Sequence, residues 1–254
     1  MSYETIRFLV DDTNVARLTL ARPDTRNALN RTMVDELHAA LDTIERRDDL
    51  KALVLDAEGG KAFMSGADIS ELRNRRRVDA FQGINATLFA RVEAFPSPTV
   101  AAIVGWCLGG GLELAMACDF RVAGASSRFG QPEVGLGIMA AAGGTRRLPA
   151  LVGLAQARRL LLGGEIIDAE AAGRIGLVDR VVADDAVPAA VDDLLAPILK
   201  QAPEAVRRTK AAMLAWAHGA GESALRRLDD ATQADLFEHP DKFARMDAFL
   251  SRRK

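Results

Sequence analysis

Residues 105 to 120 read GWCLGGGLELAMACDF. Three consecutive glycines lead straight into an apolar, helix-prone run, and that run carries a single carboxylate before Cys118, Glu113. Glycine weakens regular structure, so three in a row ahead of a helix imply that the backbone must come close to something else. The first amides of a helix have no partner inside the helix and point out of its end. A bare, amide-rich helix start is therefore suited to hold an anion or a polarised oxygen. The flanks limit what can surround it. TVAAIVG (99–105) reads as a buried strand feeding the helix, and DFRVAG (119–124) reads as a strand leaving it.

The same alternation extends through much of the chain. VARLTL (15–20) and ALVL (52–55) are strand-like. Between them Asn30 is placed to cap a helix whose Met33, Leu37, Ala40, Leu41 and Ile44 form one apolar stripe. The pattern predicts another helix over 79–93, with Phe81, Ile84, Leu88 and Val92 on one side, stopped by FPSP at 95–98. Strands alternating with helices to about residue 180 indicate an α/β class with crossover connections. From about 184 the chain reads as helical, over 186–199, 203–216, 221–237 and 241–250. Leu225, Leu228, Leu236, Phe237, Phe243 and Phe249 in that tail need burial, and a small helical tail of this kind often packs on a neighbouring subunit.

Composition narrows the function. A chain of 254 residues with 49% apolar and 27% charged residues is long enough for a sizeable core. A net charge of −2 gives no support for a general nucleic-acid binder. The run Arg73-Asn74-Arg75-Arg76-Arg77 fits either small-ligand phosphates or a solvated helix face. Cys107 and Cys118 form no CxxC pattern and read as buried thiols of a reducing compartment. The first residues carry no signal-peptide pattern, and no apolar run is long enough for a bilayer, so the expectation is a cytoplasmic protein with no membrane partner.

Several chemistries are not supported. GGGLEL (109–114) has Leu114 where a dinucleotide fingerprint needs its third glycine. AAGGTRR (141–147) lacks the Lys-Ser/Thr ending of a phosphate loop, and no GxSxG elbow occurs. His38, His218 and His239 are scattered and His38 reads as a surface residue, so no metal site is expected.

Three segments remain: KAFMSGADISEL (61–72), the glycine triplet with its helix, and FGQPEVGLGIMAAAGGTRRLPALVG (129–153), which carries Glu133. In the first, SGAD is turn chemistry, and Asp68 is placed to cap a helix, leaving nearby amides available. Each also fits a plainer role. Glu113 would serve as a salt-bridged core acid, Glu133 as an exposed loop residue, and the glycines as close helix–sheet packing.

Together, these segments resemble the enoyl-CoA hydratase/isomerase (crotonase) family. LTLARPDTRNALN (18–30), FMSGADISEL, GWCLGGGLELAMACDFRVAG, FGQPEVGLG…GGTRRL, APEAVRRTK (202–210) and AFLSRR (248–253) match its segments in order. The resemblance implies ββα units wound into a spiral over 1–195 and a helical trimerisation region over 196–254, as a homotrimer or a dimer of trimers. It implies that the amides of Ala67 and Gly110 hold a thioester oxygen and that Glu113 and Glu133 flank the adjacent carbons. It places Ala67, Asp68, Ile69 and Gly109 beside the acyl-CoA substrate, with Arg22 and Arg26 near phosphates. Coenzyme A is part of the substrate, and no separate cofactor is implied. The activity implied is hydration of a 2-enoyl-CoA, with isomerisation or another acyl-CoA reaction of the family as the alternative, and a non-catalytic acyl-CoA-binding scaffold as a third reading. Two departures stand out. Ala140 and Ala141 replace the usual Pro and Gly, and Ala244 and Arg245 replace the usual Glu and Gly.

Overall fold

The strands expected to be fully buried run through the centre of a large sheet. The computed structural model describes residues 3–252. A hairpin of β1 (Ile6–Val10) and β2 (Val15–Leu20) leads to helix α1 (Arg31–Glu45). Asn30 caps α1 by accepting from the Met33 amide at 3.0 Å, and the predicted stripe from Met33 to Ile44 is buried. Strands β3 (Ala52–Ala57) and β4 (Ala62–Met64) follow, then helices α2 (Ile69–Asn74), α3 (Arg77–Gln82) and α4 (Ile84–Glu93). The next unit is β5 (Thr99–Ile103), β6 (Trp106–Leu108) and α5 (Gly110–Ala117). After it come β7 (Phe120–Gly124), β8 (Arg128–Gly130) and α6 (Gly144–Gly163), which is broken at Gly153.

Each ββα unit gives its first strand to one sheet and its second to another. β3, β5 and β7 pair in parallel in a sheet ordered β1-β2-β3-β5-β7-β10, while β4, β6 and β8 pair in parallel in a sheet ordered β4-β6-β8-β9. The remaining strands are β9 (Ile166–Asp168), followed by α7 (Ala169–Arg174), and β10 (Arg180–Val182). Parallel stacking of successive units in both sheets is the spiral of ββα units that the sequence motifs imply.

The large sheet is buried on both faces, which is why its strands read as continuous apolar runs. Leu53 and Leu55 of β3 face a core shared with α1, whereas Val54, Val100 and Val122 pack under helix α8 (Val187–Leu199). Three further helices complete the chain: α9 (Pro203–Ala217), α10 (Glu222–Glu238) and α11 (Pro240–Ser251). These match the helical tail expected from the sequence. α9 is tied down by polar bonds: Lys210 Nζ donates to Asp119 Oδ2 at 2.6 Å and to the Ser97 carbonyl at 3.1 Å. α10 and α11 bury no residue, and Phe237, Phe243 and Phe249 are half exposed or more.

Two expectations need correction. The helix over 79–93 is two helices, because Gly83 takes a left-handed conformation (φ 59°) between α3 and α4. That break turns Phe81 away from the stripe of Leu88 and Val92, and Phe81 lies exposed under the Arg77 guanidinium, 5.6 Å from its ring centre. His38 is half-buried rather than on the surface, and burial with the nearby Arg91 charge lowers its pKa. Among the described residues, no helix is long and apolar enough to cross a membrane.

The glycine triplet lets α5 lie against β4. A Cβ on Gly111 would sit 2.2 Å from the Met64 carbonyl oxygen. Intrinsic helix propensity favours alanine there by about 1 kcal/mol, but the clash is with main chain and cannot be relieved by a rotamer. Gly111→Ala is therefore expected to lower stability by about 1–3 kcal/mol, read as a shift in the urea midpoint. A variant as stable as the parent would show that this approach is not tight.

Candidate active site

The Ala67 amide is exposed to the site by the way its neighbours are bonded. Leu29 N donates to Gly66 O at 2.8 Å and Asp68 N donates to Leu29 O at 2.9 Å, forming a parallel bridge between Leu29 and Ala67. The residue between two such bonds turns its own N–H to the opposite side. That side faces Gly110: a Cβ built on Gly110 would lie 3.7 Å from Ala67 N. Gly110 opens α5, so its N–H has no acceptor within the helix. Gly109 before it adopts φ 52° and ψ −124°, a conformation open essentially to glycine alone, and a Cβ there would touch Glu133 Oε1 at 3.0 Å.

Glu113 lies in the first turn of α5, a helix buried along its whole length, and is 4% exposed. Its Oε1 accepts from Gly144 N, the first residue of α6, at 2.8 Å. Burial raises the Glu113 pKa, opposed by the amides of Gly144 and Ala142 and by the charge of Arg147. Glu133 sits in a 3-10 turn over Pro132–Leu136. Burial, reinforced by the Glu113 charge, pushes its pKa up to about 7. A bond from its own main chain opposes that rise, and with its amide turned to satisfy its neighbours, Gln131 donates to both Glu133 oxygens, at 2.9 and 3.0 Å. The two carboxyls thus differ: one is held by helix-terminal amides, the other is near half-protonation at neutral pH.

The structure brings Ala67, Gly109, Gly110, Glu113 and Glu133 into one neighbourhood. Asp68 caps α2 by accepting from Ser70 N at 3.1 Å, and Ile69 is exposed at the start of that helix. Arg22 is engaged within the protein, donating to the Ala28 carbonyl and lying 3.5 Å from Asp68 Oδ2. That pairing ties Arg22 to the Ala67 segment. Arg26 is exposed on the same loop. Of the two substituted alanines, Ala140 is buried against the Gly144 turn and Ala141 is exposed.

Sequence reasoning missed several supporting residues. Asn27 is buried and links the opening loop to the site segment, accepting from Arg22 N at 2.8 Å and donating to the Ala62 carbonyl at 2.8 Å. Gln131 and Gly144 stood within quoted motifs, but the partner of Gly144, Glu113, is thirty-one residues away. Among the described residues, no group of three or more His, Cys, Asp or Glu is placed to hold a metal.

Amides from two loops meet beside one buried and one half-buried carboxyl on stacked ββα units, a spiral fold whose groups are suited to acid–base chemistry. A crystal structure of an enoyl-CoA hydratase from Bacillus anthracis superposes with a TM-score of 0.92 at 30% identity, covering 98% of this chain and 97% of that one. A crotonyl-CoA hydratase of Syntrophomonas wolfei is 38% identical over 100% of this chain and 98% of the relative, and a short-chain-enoyl-CoA hydratase of Clostridium acetobutylicum is 37% identical over 94% and 92%. The family model for enoyl-CoA hydratase/isomerase matches residues 11–254, and the chain belongs to that family.

The raised Glu133 pKa has a thermodynamic consequence. The folded state keeps a proton that the unfolded chain, with a pKa near 4.5, releases. The resulting stabilisation is full below about pH 4.5 and is lost as pH rises through about 7. Glu133→Gln is therefore expected to melt higher than the parent at pH 8, with the difference shrinking toward pH 5. Melting curves whose difference does not change with pH would contradict the raised value.

Proposed function

We propose that this chain adds water across the 2,3 double bond of a 2-enoyl-CoA thioester, giving a 3-hydroxyacyl-CoA. The observation that carries this reading is a buried acid, Glu113, and a half-buried one, Glu133, in different protonation environments beside the converging Ala67 and Gly110 amides.

In this reading the thioester oxygen sits between the amides of Ala67 and Gly110, with Asp68, Ile69 and Gly109 along the coenzyme A portion. Glu113 takes a proton from water as the water oxygen bonds to the β-carbon. The π electrons move to the α-carbon and onto the thioester oxygen, forming an enolate that the two amides stabilise. Glu133 then gives its proton to the α-carbon. Glu113 ends protonated and Glu133 ionised, and exchange with solvent resets both. Losing one oxyanion donor typically costs ~3–4 kcal/mol of barrier, and general acid–base steps supply roughly 10²–10⁴-fold.

A pKa of about 7 at Glu133 supports its role as acid, because an acid that keeps its proton near neutrality can donate it. The Gly144 amide on Glu113 Oε1 supports its role as base by favouring the ionised form and leaving Oε2 for water. The reaction needs no group beyond the coenzyme A of the substrate. The half-exposed aromatics of α10 and α11 support a homotrimer or dimer of trimers, with the region after 195 as its contact and the spiral before it holding the site. The same reading places the protein in the cytoplasm.

Glu113→Gln and Glu133→Gln are expected each to lose roughly 10²–10⁴-fold in turnover while still binding acyl-CoA. Loss of the conjugated enoyl absorbance of crotonyl-CoA, with uptake of labelled oxygen from water, is the assay. Proton exchange without oxygen uptake would overturn hydration in favour of isomerisation. Gly110→Ala places a methyl in ordinary contact with its surroundings, 3.7 Å from Ala67 N. It is expected to fold like the parent but to lose turnover on the order of 10²-fold. Full activity would remove Gly110 from the oxyanion site.

A further inference from the structure

A buried ion pair stands behind the turn that holds Glu113 and takes no part in the chemistry proposed above. Glu93, the last residue of α4, meets Arg147 in the first turn of α6 through two parallel bonds, Nε to Oε1 at 2.8 Å and Nη2 to Oε2 at 2.9 Å. The Arg147 side chain is 4% exposed and that of Glu93 is 13% exposed. Burial works to raise the Glu93 pKa, but the bonds and charge of Arg147, then those of Arg146, overcome it and hold it at about 2.

The third arm of the guanidinium reaches the site. Arg147 Nη1 donates to the Ala142 carbonyl at 2.9 Å, and the Arg147 amide donates to Gly143 O at 2.9 Å. The side chain lies so close over Gly143 (φ 115°) that a Cβ there would be 2.1 Å from Nη1. The next residue, Gly144, donates to Glu113 Oε1. The Ala142–Gly144 turn is thus clamped by Arg147 and in turn holds Glu113.

We propose that Arg147 and Glu93 are a positioning pair that fixes the Ala142–Gly144 turn and, through it, the carboxylate of Glu113. The proposal rests on Glu113 being the general base. A guanidinium fork on a carboxylate is geometrically specific, and a lysine cannot reproduce three directed bonds. The pair also acts by charge. Facing Glu113 are Arg147 from α6, Glu133 from the 3-10 turn, and the Ala142 and Gly144 amides. Facing Glu93 are Arg146 and Arg147 from α6, and His218 from the end of α9, whose Nε2 lies 3.5 Å from Glu93 Oε2.

The test is the pH profile of kcat/KM with crotonyl-CoA for Arg147→Met, Arg147→Lys and Glu93→Gln, repeated in a His218→Gln background to remove the imidazole. Arg147→Met is expected to lose on the order of 10- to 100-fold in kcat. Its acid limb should move up, because a nearby positive charge that favours ionised Glu113 is gone. Arg147→Lys keeps the charge, so its limb should stay while kcat falls. Glu93→Gln leaves Arg147 less compensated, so its limb should move down. A pair with only a structural role would lower activity without moving the limbs in opposite directions. Unmoved limbs in both Arg147→Met and Glu93→Gln, with Glu113→Gln inactive, would overturn this proposal alone. An active Glu113→Gln would instead overturn the general-base reading. Should Arg147→Met fail to fold by circular dichroism, a limb that stays in Arg147→Lys while it moves down in Glu93→Gln supports the proposal, and limbs unmoved in both overturn it.

Discussion

The site depends on how closely the first turn of α5 approaches β4. At Gly111 the space a side chain would fill holds the Met64 carbonyl, so two backbones meet with nothing between them. Contact at that point carries the chain from Met64 across Gly66 to Ala67, directly over Gly109 and Gly110. All eight residues of α5 are buried, so the helix cannot slide to a looser position without opening the core. Donors held in this way need no rearrangement when charge develops on a nearby oxygen, which is where such sites gain most of their effect.

The two acids make the opposite contribution. Glu113 and Glu133 are both pushed toward the neutral form by burial, and the second is pushed further by the first. Neither is part of a salt bridge, although ion pairs occur close by. Glu113 is instead compensated by amides at the start of α6, a weaker and more directional counterweight than a cation in contact. Pairing Glu113 with Arg147 directly would stabilise the fold but remove the proton acceptor. Placing Arg147 against Glu93, with the Ala142–Gly144 turn between it and Glu113, supplies rigidity and some positive potential without neutralising the Glu113 carboxylate.

Much of this was legible in the residues. The α1 stripe with its Asn30 cap, the buried runs of β3 and β5 and the four tail helices follow from periodicity and punctuation. The glycine triplet with Glu113, and Glu133 after its proline, pointed to a candidate site only when taken together, because each alone also fits a plainer role. The small sheet was less legible. β4, β6, β8 and β9 are three residues each, too short for alternation to register. Gly83 did not declare itself as a break, because an isolated glycine in a helical pattern is often tolerated. Glu93 and Arg147 are fifty-four residues apart, and no motif links the two segments. Nothing local distinguishes a charge that will be buried against a distant partner.

Glu93 also joins two parts of the molecule that the sequence treats as separate. Its carboxylate meets Arg146 and Arg147 at the edge of the site and His218 at the end of α9. α9 is held to the spiral largely through Lys210 on Asp119 and Ser97, and through Arg207 on the Asp48 and Leu50 carbonyls. Directed polar bonds of this kind fix position more sharply than apolar contact does. Glu93 thus lies between the turn that holds Glu113 and the end of α9.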